Sequence, residues 1–209
     1  LEYALGDADT VWGALRASMG HPEPFGLRDL EIGNENNGPE YEKRYEKFRS
    51  AIVEKYPELI IGANTHVEQS GLPLDIADEH FYDKPEWFAE NTHYYDGYDR
   101  KGPGIFVGEF AVVAGEILTL YGAVAEAMFM VGMERNQDIV KLAAYAPLFE
   151  HENYAAWAPN LIVFDGLDNY GIPSYYVWKL FGQNRGSYVL ESGQECDSIY
   201  APYLKGGTC

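Results

Sequence analysis

Two glutamates in this chain stand where a carboxylate could do chemistry. Glu35 closes the run Leu27-Arg28-Asp29-Leu30-Glu31-Ile32-Gly33-Asn34-Glu35, and Glu109 closes Gly104-Ile105-Phe106-Val107-Gly108-Glu109. Each run is mostly apolar, reads as a β-strand, and delivers its carboxylate where strand meets loop. A pair of carboxylates presented this way is the equipment of glycoside hydrolysis, one as acid and base, the other as nucleophile or second base. The leaving oxygen must be protonated as its bond breaks, and the anomeric carbon needs an ionised carboxylate on its other face. The two glutamates are 74 positions apart, so only the fold could bring them together. A lone glutamate after a strand is ordinarily a solvated loop residue; two of them in like contexts favour a function.

The elements that must position them alternate along the chain. Thr10 to Met19 reads as a short helix, and His21-Pro22-Glu23-Pro24-Phe25 blocks regular structure after it. A strand over Leu27 to Gly33 follows. Tyr41, Tyr45, Phe48, Ile52, Val53 and Tyr56 recur at helical spacing, between Pro39 and Pro57. Leu59 to Ala63 and Leu74 to His80 read as strands, and Pro85 to Asn91 as a helix. After the turn Lys101-Gly102-Pro103-Gly104 comes the strand of Glu109, then a helix over Ile117 to Met133. Asp138 to Pro147 reads as a fifth strand with its approach, Asn160 to Phe164 as a short apolar strand or loop, and Ser174 to Phe181 as the last helix. Strands alternating with helices over short apolar runs mean an α/β fold with parallel strands. In a (β/α)8 barrel the strand C-termini share one face, where such carboxylates can converge. A complete barrel takes about 250 residues, so five strands fit its later part, with three units lacking. Residues 1–186 are read as this partial (β/α)8 catalytic domain. Residues 187–209 are read as the start of a C-terminal β region or a disordered tail, where Tyr188-Val189-Leu190 could open a strand.

Composition narrows the classes. The 209 residues are 46% hydrophobic and 23% charged, enough for a domain with a substantial core. The formal charge of −18 argues against nucleic acid and anionic membrane surfaces as partners. No apolar run approaches the roughly 20 residues that span a bilayer. Aromatics reach 15%, with 17 Tyr, and would serve as stacking platforms for sugar or as core. Cys196 and Cys209 show no metal-ligand spacing, and their pairing stays open. The chain opens on Leu1-Glu2-Tyr3, without Met or a leader-like run, and reads as the middle of a longer protein. Its compartment stays open, a secreted or periplasmic site being preferred to a cytoplasmic one.

Several segments together resemble the α-L-arabinofuranosidases of glycoside hydrolase family 51. Trp12-Gly13-Ala14-Leu15-Arg16-Ala17 and Gly20-His21-Pro22-Glu23-Pro24-Phe25 lead into Leu30-Glu31-Ile32-Gly33-Asn34-Glu35, which looks like the approach to that family's fourth barrel strand. Asp78-Glu79-His80-Phe81-Tyr82 is similar to its sixth-strand motif, and Val107-Gly108-Glu109-Phe110-Ala111 to its seventh. Trp157 to Gly166 and Pro173 to Phe181 resemble the surroundings of its eighth unit. The likeness runs from Leu1 to about Leu190 in order and spacing. It implies the strand 4 to strand 8 portion of the barrel, with the family's C-terminal β-sandwich mostly lacking. It implies a retaining mechanism with Glu35 as acid/base and Glu109 as nucleophile, acting on α-L-arabinofuranosyl groups of arabinan or arabinoxylan. Asn34 would hydrogen-bond the sugar 2-hydroxyl; His80 and Tyr82 would line the cleft, Tyr82 near the nucleophile. No cofactor is implied.

Bland readings stand beside these. Asn34 alone is a turn or cap residue. His80 with Asp78 and Glu79, or His66 with Glu68, matches no metal-ligand pattern, and no metal is expected. Trp178 lies on an apolar helix and reads as core, whereas Trp157 lies in a loop and is the candidate to stack on sugar. Tyr94, Tyr95 and Tyr98 either wall the cleft or pack their own loop. Two rival functions remain: an endo-β-1,4-glucanase or xylanase with the same carboxylates, and a non-catalytic carbohydrate-binding fragment. A partial barrel leaves unpaired strand edges, which a longer chain, a partner or a second copy in a homo-oligomer could cover.

Overall fold

The computed structural model describes residues 1–192. Cys196 and Cys209, and most of the segment expected to open a C-terminal β region, lie outside the described residues. The chain divides into two compact units, one of Leu1–Asp78 and one from Glu79 onward.

The first unit starts with α1 (Glu2–Leu5) and α2 (Val11–Ser18). Thr10 caps α2, its hydroxyl accepting the Gly13 N–H at 3.1 Å. β1 (Asp29–Ile32) leads to α3 (Pro39–Lys55) and β2 (Ile60–Ala63); a 3₁₀ turn (Val67–Ser70) then precedes β3 (Ile76–Asp83). β1 and β2 pair in parallel from Asp29↔Ile60 to Ile32↔Ala63, and β3 joins β2 through Gly62↔Ile76 and Ala63↔Ala77. Pro39 starts α3, where its missing N–H costs nothing. The inward side of α3 sets Tyr41 and Tyr45 against Leu59, Ile61, Ala63 and Val67, and this is the core of the unit. Burying a side chain such as Ile61 contributes about 1.5–3 kcal/mol.

The second unit begins inside β3 and continues through α4 (Pro85–Glu90), β4 (Gly104–Val112), α5 (Leu120–Arg135) and β5 (Val140–Tyr145). Three short strands follow, β6 (Phe149–His151), β7 (Ile162–Phe164) and β8 (Asn169–Gly171), and then α6 (Pro173–Gln183). Strands β1 to β5 are hydrogen-bonded in chain order, while β6, β7 and β8 form a separate sheet. Parallel strands in chain order, with helices between most of them, are the expected partial (β/α)8 pattern.

Several details depart from the sequence reading, β3 among them, which runs past His80 to Asp83. β1 ends at Ile32, because Gly33 takes φ +101° and turns the chain out of the sheet; Glu35 therefore lies three residues past the strand. β4 does not stop at Glu109 but runs on to Val112. The helix read over Ile117 to Met133 starts later, at Leu120, because Thr119 caps it by accepting the Gly122 N–H at 3.2 Å. Residues 187–192 form no strand, so Tyr188-Val189-Leu190 opens none.

Candidate active site

The second unit gathers four of the expected site residues, His80, Tyr82, Glu109 and Trp157. On β3, side chains alternate between two faces. Phe81 turns to one face and enters an aromatic cluster, its ring 5.1 Å from Trp87, 5.2 Å from Tyr94 and 5.5 Å from Phe129. Glu79 takes hydrogen bonds from the Tyr95 hydroxyl at 2.9 Å and the Tyr98 hydroxyl at 2.8 Å. Tyr95 and Tyr98 thus fasten their own loop to β3, and burial raises both hydroxyls, with the adjacent Glu79 carboxylate raising them further. His80 and Tyr82 reach Glu109 instead.

Glu109 sits in an irregular stretch of β4. Val107 pairs with Ala143 and Phe110 with Tyr145, so β4 spends three residues where β5 spends two. This is a β-bulge, a device that re-aims a side chain. Its outcome is a carboxylate served by two neighbours: the Tyr82 hydroxyl donates to Oε2 of Glu109 at 2.5 Å, and His80 Nδ1 lies 3.5 Å from the same oxygen. The side chains of His80 and Glu109 are 15% and 28% exposed, so the carboxylate is sheltered yet open to a ligand. Charge-assisted O–H···O⁻ bonds are short and strong, about 2.5–2.7 Å, and this one fits that class.

Aromatic rings border this cluster. Trp157 is 53% exposed and its ring centroid lies 6.2 Å from that of Tyr82, at an interplanar angle of 64°. It offers a free ring surface beside the carboxylate. Trp178, expected in the core, packs 5.3 Å from Phe110 and 6.3 Å from Tyr145. Burial raises the Tyr145 hydroxyl, and the nearby Glu126 carboxyl adds to that.

Asn34 and Glu35 belong to the first unit. Both are exposed on the loop after β1, and Glu35 takes φ +51°. The Asn34 N–H donates to Oδ1 of Asn36 at 3.3 Å. Asn34 directly precedes the glutamate on this loop.

Sequence reasoning missed several residues that shape these places. The bulge at Gly108 and Glu109 depends on the register of β5. Tyr41 read as one more apolar position on a helix face. Asn64, the first polar residue after the run Leu59 to Ala63, was the signal that a strand end had a polar task.

The comparisons with known proteins bear on both units. The sequence profile described as "Alpha-L-arabinofuranosidase 1 domain" matches residues 1–100, and that described as "Alpha-L-arabinofuranosidase C-terminal domain" matches residues 107–205. An extracellular exo-α-L-arabinofuranosidase of Streptomyces chartreusis is 42% identical over 205 residues, covering 92% of this chain and 24% of its own. α-L-Arabinofuranosidase 1 of Arabidopsis thaliana is 41% identical over 197 residues, covering 92% of this chain and 29% of its own. Among solved structures, an arabinose-bound GH51 α-L-arabinofuranosidase superposes with a TM-score of 0.84 at 38% identity, over 88% of this chain and 32% of that one. The α-L-arabinofuranosidase of Thermotoga maritima, at 21% identity and a TM-score of 0.70 over 88% of this chain and 46% of its own, shares the fold. The chain thus spans about a quarter of the length of these two curated relatives.

Proposed function

This chain belongs to the α-L-arabinofuranosidases of glycoside hydrolase family 51, and on that premise we propose that it carries the catalytic carboxylates of a retaining enzyme that releases α-L-arabinofuranosyl groups from arabinan or arabinoxylan. The observation that carries this reading is the Tyr82–Glu109–His80 cluster, a sheltered carboxylate on a bulged strand with a phenol donating to one oxygen.

In this proposal Glu109 attacks the anomeric carbon while Glu35 protonates the leaving oxygen. The carbon–oxygen bond to the leaving group breaks, and an ester bond forms between the sugar and Glu109. Glu35, now deprotonated, takes a proton from water, whose oxygen attacks the anomeric carbon and frees Glu109. Two displacements retain the anomeric configuration, and they require the two carboxyl groups to work about 5–5.5 Å apart. Tyr82 fixes one oxygen of Glu109 and so selects its rotamer. Asn34 hydrogen-bonds the sugar 2-hydroxyl, His80 borders the ring, and Trp157 stacks on the glycan. The substrate class makes an exported enzyme the natural setting, as in the extracellular relative of S. chartreusis. Among the described residues no helix is long and apolar enough to cross a membrane.

The test is hydrolysis of 4-nitrophenyl α-L-arabinofuranoside, and of debranched and branched arabinan, by the longest natural protein containing this sequence and by its Glu109→Gln variant. The proposal predicts free arabinose from the parent and a loss of at least about a thousandfold in the variant, as expected for removing a nucleophile. Oligosaccharides as first products would point instead to an endo-acting enzyme. Equal rates in parent and variant would remove Glu109 from the chemistry.

A further inference from the structure

The loop that carries Glu35 is held by two residues of the first unit, Tyr41 and Asn64. Glu35 takes φ +51°, in the left-handed region that a residue with a side chain rarely adopts. Such a conformation persists only where its surroundings over-determine it. Here they do so on both sides. Before the glutamate, the Tyr41 hydroxyl, on a residue 6% exposed, donates to the Ile32 carbonyl at 2.5 Å and accepts the Asn64 N–H at 3.3 Å. That one hydroxyl joins the ends of β1 and β2. After the glutamate, the Asn64 side chain donates from Nδ2 to the Asn36 carbonyl at 2.5 Å. Oδ1 of Asn64 fills the space beside Gly33, where an added Cβ would come within 2.5 Å of it and within 2.8 Å of the Tyr41 ring. Gly33 is therefore required twice, for its φ of +101° and for this close approach. Burial pushes the Tyr41 hydroxyl up to about 12, against the opposing Asn64 N–H, so it stays a donor through the working pH range.

We infer that Tyr41 and Asn64 are positioning residues that aim the Glu35 carboxyl for proton transfer to the leaving group. The inference rests on Glu35 being the acid/base of the proposed reaction. Proton transfer needs a heavy-atom reach of about 2.6–3.2 Å, and a displacement of about 1 Å costs on the order of a hundredfold in rate. A loop anchored at Ile32 and Asn36 holds the glutamate between two fixed points. Releasing either anchor lets the carboxyl wander, and Asn34 on the same loop with it; loss of the Asn34 contact would weigh on any leaving group alike, so the readout is the difference between two leaving groups.

The experiment compares kcat/KM, which reports the step that cleaves the glycosidic bond, for phenyl and 4-nitrophenyl α-L-arabinofuranosides. The proteins are the parent, Glu35→Gln, Tyr41→Phe, Asn64→Ala and Asn64→Asp, each in the longest natural protein containing this sequence. Asn64→Asp keeps the size of the side chain but sets a charged acceptor against the Asn36 carbonyl, so it loses this anchor without opening a cavity. A leaving group that departs unaided does not need the acid, so the 4-nitrophenyl substrate should lose a few-fold. The phenyl substrate should lose roughly 10–100-fold in the Tyr41 and Asn64 variants and more in Glu35→Gln, consistent with general-acid contributions of about 10²–10⁴. Parent-like melting temperatures with equal losses on both substrates, or no loss, would overturn the positioning role while a leaving-group effect in Glu35→Gln kept the acid/base assignment. Equal losses on both substrates in Glu35→Gln itself would overturn both.

Discussion

The Tyr82 hydroxyl and the Glu109 carboxylate are joined by a 2.5 Å hydrogen bond, and they come from neighbouring strands of one sheet. The bond exists because β3 alternates its side chains, so that Tyr82 and His80 share a face, and because the bulge in β4 turns Glu109 toward them. Removing the hydroxyl leaves the ring in place and the carboxylate under-restrained. Hydrogen bonds to charged groups contribute about 1.5–3 kcal/mol. Tyr82→Phe should therefore lower kcat roughly 10–100-fold, at about 1.4 kcal/mol per decade, with KM within about twofold. Steady-state kinetics on the 4-nitrophenyl substrate checks this. A change confined to KM would make Tyr82 a sugar-binding residue alone.

Trp157 is predicted to act on binding. Its ring is half exposed and rests edge-on against Tyr82, so its free face is available to a glycan. Trp157→Ala should raise KM for arabinan several-fold, in line with about 0.5–1.5 kcal/mol for an aromatic contact. It should leave kcat for the small 4-nitrophenyl substrate within about threefold. A collapse of kcat on that substrate would place Trp157 in the positioning of Glu109 instead.

Glu126 should make stability depend on pH. It is 1% exposed on α5, and Oε1 accepts the Val112 N–H at 2.8 Å. Burial, opposed by Ser174 and that N–H, pushes its carboxyl up from 4.5 to about 7. Between those values the native state holds a proton that the unfolded chain has released. Stability contributed by this group is therefore full below about pH 4.5, falls as pH rises through about 7, and is flat above. The fall is at most on the order of 3 kcal/mol, taking 1.36 kcal/mol per unit. Glu126→Gln keeps the acceptor and cannot ionise, so its melting temperature should gain on the parent between pH 5 and pH 8. The same offset at both pH values would contradict the account.

Arg16 is predicted to hold the start of the first unit together. It is fully buried, donating from Nε to the His21 carbonyl at 2.9 Å, from Nη1 to Tyr3 at 2.8 Å and from Nη2 to Pro22 at 2.9 Å. The Phe25 ring lies 5.8 Å from its guanidinium carbon. Lysine has the charge but not the planar fork that reaches three carbonyls. Arg16→Lys should cost about 2–4 kcal/mol, since each orphaned acceptor costs about 1–3 kcal/mol. Urea unfolding measures it; a loss under about 0.5 kcal/mol would mean that water replaces the guanidinium.

Much of this architecture is legible in the residues themselves. The strands around Ile61 and Val107 are apolar runs bounded by turn formers, and the face of Tyr41 and Tyr45 carries a helical period, so their types follow from pattern alone. β6 and β8 have three residues each, too few to carry any period, and only their pairing with β7 makes them strands. Glu109 shows the limit most clearly. Its residue type and its surroundings mark it, but the extra residue of β4 between Val107 and Phe110 is set by the register of β5, 30 or more positions away. The Asn64 side chain that grips Asn36 is equally non-local. Chemistry-bearing residues announce themselves by type, whereas the groups that aim them depend on tertiary contacts.

The most direct test of the central claim is to trap the intermediate. The Glu35→Gln variant, given 2,4-dinitrophenyl α-L-arabinofuranoside, should form the glycosyl ester quickly and hydrolyse it slowly. Intact-protein and peptide mass spectrometry should then find one anhydropentose on the peptide containing Glu109. An adduct on another residue, or turnover with inverted configuration and no adduct, would contradict Glu109 as the nucleophile and the retaining mechanism with it.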